Sequence, residues 1–194
     1  MNKYLAEFVG TFLLGLAVSL SIAGKFPVPT PVIAALTLGI CVYTMGAISG
    51  THINPAITIA LAAIGKINAK DTLFYLAAQL AGGGAAMFVT RALTTPGAVA
   101  VAGTGMECAA ETLGAFVLAY GVCSVVHGKA PGEAAGLTIG GSLLIGISLA
   151  ASNSNGVLNP AVALAIGSFG WPYLVGPIVG AVAAMFLYRA LASD

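Results

Sequence analysis

Residues 26–65 and 134–188 contain no Asp, Glu, Lys or Arg. A membrane-crossing helix needs about 20 predominantly apolar residues, so each stretch is too long for one crossing and must hold something besides a single span. Across the whole chain of 194 residues there are seven Lys or Arg and six Asp or Glu, and the charged share is 7% against 59% hydrophobic. A soluble domain carries about a quarter of its residues charged. The chain is therefore expected to be an all-α membrane protein with lipid as its solvent. A net charge of +1 with scattered basic residues gives no reason to expect nucleic acid as a partner. Cys41, Cys108 and Cys123 are odd in number and lack metal-ligand spacing. They read as small buried residues, and neither a metal nor a cofactor is expected.

Apolar blocks of spanning length fall at roughly 4–23, 31–49, 72–91, 107–127, 133–152 and 171–191. The first has some look of a signal peptide, with Lys3 ahead of it and a small-x-small site at Ser21 to Ala23. It also carries Glu7, and Ala6-Glu7 with Gly10 and Phe12 returns as Ala110-Glu111 with Gly114 and Phe116. A removable leader has no reason to mirror a later helix. Two apolar pieces remain, from Asn54 to about Gly65 and from Asn159 to about Gly167, each opening with Asn-Pro. At about 1.5 Å per residue the first is ~18 Å long, half of a ~30 Å hydrocarbon core. These are expected to be half-helices. Irregular backbone at that depth is tolerated only when buried in protein or lining a watery cavity.

The second half repeats the first. Asn54-Pro55-Ala56 returns as Asn159-Pro160-Ala161, and Ala85-Ala86-Met87-Phe88 with Arg91-Ala92 returns as Ala183-Ala184-Met185-Phe186 with Arg189-Ala190. One channel domain over residues 1–194 is expected, built from repeats of about 1–98 and 103–194. Each holds three full spans, an odd number, so the second copy enters the membrane inverted and the half-helices dip in from opposite faces. With the N-terminus inside, Lys3, Lys66, Lys70, Lys129 and Arg189 are cytoplasmic and only Lys25 and Arg91 lie outside. The positive-inside rule therefore favours cytoplasmic termini of a multi-pass protein of the cell membrane.

Asn-Pro at a helix start has a chemical logic. Asn is a preferred N-cap because its side-chain oxygen accepts a bond from a first-turn N–H, and Pro suits the next position because it has no N–H to strand. Once that oxygen is used, the NH2 of each Asn is left to face a cavity. Two half-helices meeting tip to tip place roughly half a positive charge each at the midplane, where water is accepted and cations are repelled.

Several further segments make the resemblance specific. Ala6-Glu7-Phe8-Val9-Gly10-Thr11-Phe12, Ser49-Gly50-Thr51-His52-Ile53-Asn54-Pro55-Ala56, Gln79, Glu111, Leu158-Asn159-Pro160-Ala161 and Gly176-Pro177 resemble the corresponding motifs of the aquaporin, or major intrinsic protein, family over essentially the whole chain. The resemblance implies a right-handed bundle of six transmembrane helices and two re-entrant half-helices, one pore per subunit, in a homotetramer. It also implies that Glu7 and Glu111 brace the backbone ahead of the half-helices; the plain alternative is a pair of carboxylates near the membrane interface. His52 reads as a loop histidine bonded to a nearby carbonyl, with a proton-sensing gate as the other reading. Gln79 reads as a bond between helices. Gly136 to Gly140 and Gly176 to Gly180 fit small-xxx-small packing.

By the same resemblance the four filter positions fall on Ala34, Ile147, Gly156 and Val162. The family normally has an arginine directly after the second Asn-Pro-Ala, and this chain has Val162 there, followed by Ala163 where the glycerol-conducting branch has aspartate. A filter of this kind is expected to be wider and less polar than a water-only one. It then passes neutral solutes such as glycerol, urea or ammonia, or dewets and slows water. An intramembrane hydrolase using Ser49 and His52 lacks an orienting carboxylate and a nucleophile elbow. An energy-coupled transporter would need titratable groups along its path. A closed, structural membrane protein on the same fold is the remaining alternative to a passive channel.

Overall fold

The computed structural model describes residues 1–95 and 99–192. Its helices are α1 (Asn2–Ile22), α2 (Thr30–Ser49), α3 (Pro55–Ala63), α4 (Ala69–Leu93), α5 (Gly105–Val126), α6 (Ala135–Ala150), α7 (Pro160–Ile166) and α8 (Trp171–Leu191), with a 3₁₀ turn at Gly132–Ala134 leading into α6. Among the described residues six of these are long and apolar enough to cross a membrane, the 3₁₀ turn counting with α6. The short ones, α3 and α7, are the two Asn-Pro pieces.

Local chemistry sets the boundaries. α2 carries Pro at its first turn and stops at Gly50, whose φ of 83° lies in the left-handed region that costs glycine no steric penalty. α7 ends in the same way at Gly167, φ 80°. α5 starts on a capping box in which Thr104 accepts from the Glu107 N–H and Glu107 accepts from the Thr104 N–H. α4 begins at Ala69, earlier than the apolar block at 72, because Asn68 caps a polar first turn by accepting from the Asp71 N–H at 2.9 Å. Hydropathy sees the hydrocarbon-depth part of a helix and misses such a turn.

Packing follows the repeat. α1 lies against α4 and α2, α5 lies against α8 and α6, and α2 against α6 joins the halves. That joint is close because a Cβ on Gly39 would meet the Gly136 carbonyl oxygen at 2.9 Å, and one on Gly140 the Ala35 carbonyl oxygen at 2.6 Å. Gly176 and Gly180 likewise sit against the Cys108 and Thr112 carbonyls. Each half-helix packs into the other half of the chain: α3 on α8 as well as α4, and α7 on α4 and α1. Large apolar side chains such as Leu36, Ile40, Phe88 and Leu137 point outward. The fully buried polar side chains, among them Glu7, Thr58, Gln79 and Glu111, lie inside. This is the inside-out polarity of a body solvated by lipid. Cys41 and Cys123 are buried as expected, whereas Cys108 is only half-buried, because it sits in the first turn of α5.

Candidate functional site

Asn54 and Asn159 meet where the first turns of α3 and α7 abut. The Asn54 side-chain oxygen accepts from the Ala56 N–H at 2.9 Å. That of Asn159 accepts from Ala161 at 3.0 Å and Val162 at 3.3 Å. Their NH2 groups are not left wholly to the cavity, as the sequence suggested. Asn54 Nδ2 donates to the Leu158 carbonyl at 3.0 Å, and Asn159 Nδ2 donates to the Ile53 carbonyl at 2.9 Å. Each asparagine thus caps its own half-helix and ties down the loop of the other. An amide nitrogen carries two N–H groups, so each has one left over.

The loops that deliver these caps are strained. Thr51, Ile53 and Leu158 hold φ of 50°, 36° and 59°, a region non-glycine residues enter at a cost of about 1–3 kcal/mol each. A buried carboxylate over-determines each loop. Glu7 accepts from Ser49 Oγ at 2.6 Å, His52 N at 3.0 Å, Ile53 N at 2.6 Å and Gln79 Nε2 at 2.8 Å. Glu111 accepts from Ser154 Oγ at 2.7 Å, Val157 N at 2.9 Å and Leu158 N at 2.6 Å. Both glutamates have no exposed surface and are spent on the loops. Gln79 also donates to Thr58 Oγ1 at 2.8 Å, linking α4 to α3 as well as to α1.

His52 differs from its expected setting. Its Nδ1 lies 3.1 Å from the Thr58 hydroxyl, not against a carbonyl, and Tyr75 packs edge-on to its ring at 4.9 Å. Ser49 gives its proton to Glu7, which leaves no serine–histidine pair for hydrolysis. Two pairs of supporting residues escaped the sequence reading. Ser49 and Ser154 both bond the bracing glutamate, and the offset of 105 that aligns the asparagines aligns them too. Tyr75 donates to the Ser49 carbonyl at 2.7 Å, and Tyr173 accepts from the Asn155 N–H at 3.1 Å. They share the offset of 98 that relates Ala85 to Ala183.

A cavity of about 310 Å³ runs past this junction. The helices give it apolar lining through Leu14, Val18, Leu118, Val122, Ile139 and Leu143. The two loops contribute Thr51 to Asn54 and Asn155 to Val157, with Asn159. Ala34, Ile147, Gly156 and Val162 all line it. The first, second and last are nearly inaccessible at 3%, 8% and 4%, and a Cβ on Gly156 would meet the Ile147 carbonyl oxygen at 2.9 Å. All four are uncharged, and Gly156 and Ile147 lie against each other in the wall. No Asp, Glu, Lys or Arg among the described residues lines the cavity except by way of the buried brace behind it.

Membrane-length helices around an uncharged cavity, with two capped half-helices meeting in its wall, define a membrane channel. Comparison with known proteins agrees. The sequence profile of the Major intrinsic protein family matches residues 1–188. The chain is 33% identical to Aquaporin NIP1-3 of Oryza sativa subsp. japonica, over 98% of its own length and 73% of that protein's. It is 32% identical to Glycerol uptake facilitator protein-like 6 of Lactiplantibacillus plantarum over the full length of both. Aquaporin AqpM of Methanothermobacter marburgensis matches at 31% over 100% of this chain and 98% of the relative. In fold it is similar to the aquaglyceroporin from Plasmodium falciparum, with a TM-score of 0.80 at 22% identity, covering 99% of this chain and 97% of that one. The chain belongs to the major intrinsic protein family, and it is a passive membrane channel for water and small solutes rather than an enzyme.

Proposed function

We propose that this channel conducts water together with small uncharged solutes of the glycerol, urea and ammonia kind, with Ala34, Ile147, Gly156 and Val162 as its outer constriction. The observation that carries the reading is the cavity's mixed lining, apolar side chains from the helices together with loop residues that include Asn54 and Asn159. A solute with a hydrocarbon edge and hydrogen-bonding groups can turn each toward matching residues, while water uses the polar ones alone. The spare N–H of each asparagine is the central donor. The half-helix N-termini behind them supply positive potential that disfavours cations. Glu7, Glu111 and Gln79 support the loops from behind the wall, and His52 supports its loop from within the lining. The glycerol facilitator and the aquaglyceroporin among the similar proteins support a solute range wider than water. The chain works as a homotetramer in the cell membrane, each subunit with its own pore and both termini cytoplasmic, the arrangement its basic residues favour.

Rapid light scattering on proteoliposomes tests this. An impermeant osmolyte should give faster shrinkage than in empty vesicles, and glycerol or urea should give shrinkage followed by fast re-swelling. Rates equal to empty vesicles in every case would leave a closed, structural protein as the better reading.

A further inference from the structure

We propose that a second cavity, at the end of α4 remote from Ala69, is a binding site for an anionic membrane lipid whose phosphate oxyanion pairs with Arg91. This cavity measures about 340 Å³ and lies among α1, α4 and α7, with Ser19, Ala23, Met87, Thr90, Arg91 and Ala165 on its walls. It shares Ile22, Val99 and Ile166 with the first cavity.

The repeat explains why the space exists. The offset of 104 that takes Glu7 to Glu111 takes Ala23 to His127, and the offset of 98 that takes Met87 to Met185 takes Thr90 to Tyr188. In the second half the corresponding volume holds two rings, with the His127 and Tyr188 centroids 5.8 Å apart and Tyr120 at 4.9 Å from Tyr188. The matching arginine, Arg189, sits over the Phe186 ring at 5.1 Å. In the first half alanine and threonine replace the rings. Arg91 is exposed, with no carboxylate in ion-pair range among the described residues.

The chemistry of the walls selects the occupant. Among the described residues the guanidinium is the only charged group of the lining, and no acidic residue accompanies it there. Ser19 and Thr90 spend their hydroxyl protons on the Ala165 and Ala86 carbonyls at 3.4 and 2.8 Å. What remains is one planar cation above apolar walls from Ile22, Met87 and Ile166. That set suits an oxyanion attached to hydrocarbon, and a guanidinium binds phosphate through paired N–H donors. Arg91 stands in the last turn of a membrane-length helix, a position from which long basic side chains reach toward lipid headgroups.

Native mass spectrometry of the full chain tests the site. The protein is titrated with phosphatidylglycerol, with phosphatidylcholine, and with inorganic phosphate as the free oxyanion. The parent should retain one phosphatidylglycerol more tightly than phosphatidylcholine. Arg91→Gln should weaken that retention about tenfold, the loss of a hydrogen bond to a charged group. Thr90→Tyr, which installs the ring of the other half, should abolish it while the protein elutes as a folded species. Arg91→Gln is a surface change and keeps the test decisive should Thr90→Tyr not fold. Equal phosphatidylglycerol retention by the parent and Arg91→Gln overturns the proposal. Arg91-dependent binding of inorganic phosphate without preference for the lipid overturns it as well, by making the site one for a free anion.

Discussion

At Asn159 one amide side chain holds two loops. Its oxygen caps α7 and its nitrogen fixes the Ile53 carbonyl across the junction. Asn159→Ala removes the cap, worth about 0.5–2 kcal/mol, and strands a buried carbonyl, worth about 1–3 kcal/mol. The variant should unfold at a clearly lower temperature in detergent and lose water permeability. An unfolding temperature equal to the parent's would show that the cross-bond contributes nothing. Val162, in the first turn of α7, is an apolar residue lining the cavity with 4% of its surface exposed. In Val162→Arg a guanidinium enters the cavity of about 310 Å³ that the proposed constriction residues line. Glycerol flux should fall steeply and water flux much less. Unchanged glycerol flux in stopped-flow measurements would mean that the constriction lies elsewhere.

At the scale of the element, the loop before each half-helix is an irregular segment that only a buried carboxylate can hold in place. Glu7→Gln shows why an amide is not a substitute. If its NH2 takes the Oε2 place, the Ile53 N–H loses its acceptor; if it takes the Oε1 place, the His52 N–H does. Either way a backbone donor is orphaned and a charge-assisted bond is lost, about 1.5–3 kcal/mol. The variant should show reduced thermal stability and reduced water flux together, and a fall in neither would remove the brace from the account. The elements themselves were legible because charge spacing and Asn-Pro punctuation mark helix ends at low cost in inference: α3 and α7 start at the prolines the sequence indicates. The hydrogen-bond partners were not. That Asn54 reaches Leu158, 104 residues away, or that Gly83 is a glycine because α4 passes against the Ala161 carbonyl, depends on how the halves interlock. No local pattern carries that information. His52 shows the same limit, since its partner Thr58 lies one helical turn into α3 and becomes accessible only through the turn at Ile53.

At the scale of the whole molecule, two inverted halves aim two helix N-termini at one region of the cavity wall, while the residue after the second Asn-Pro-Ala, proposed above as part of the constriction, is the uncharged Val162. Exclusion of ions then falls to the fold itself. Each N-terminus is equivalent to roughly half a positive charge, so the pair amounts to about one unit. At ~4 Å and an effective dielectric near 20 a monovalent cation meets a barrier on the order of 4 kcal/mol, or roughly a thousandfold in rate. Desolvation along the apolar wall adds to it, since Leu14, Val18 and Leu143 offer no replacement for a hydration shell. The expected outcome is that proteoliposomes conducting water and glycerol still hold a potassium gradient as long as empty vesicles do, and that adding a protonophore leaves the glycerol rate unchanged. Collapse of the potassium gradient in step with reconstituted protein would show that the helix ends do not compensate for the valine. A glycerol rate that follows the proton gradient would require a titrating group in the path, and His52, which lines the cavity, would have to be reassigned from loop support to conduction.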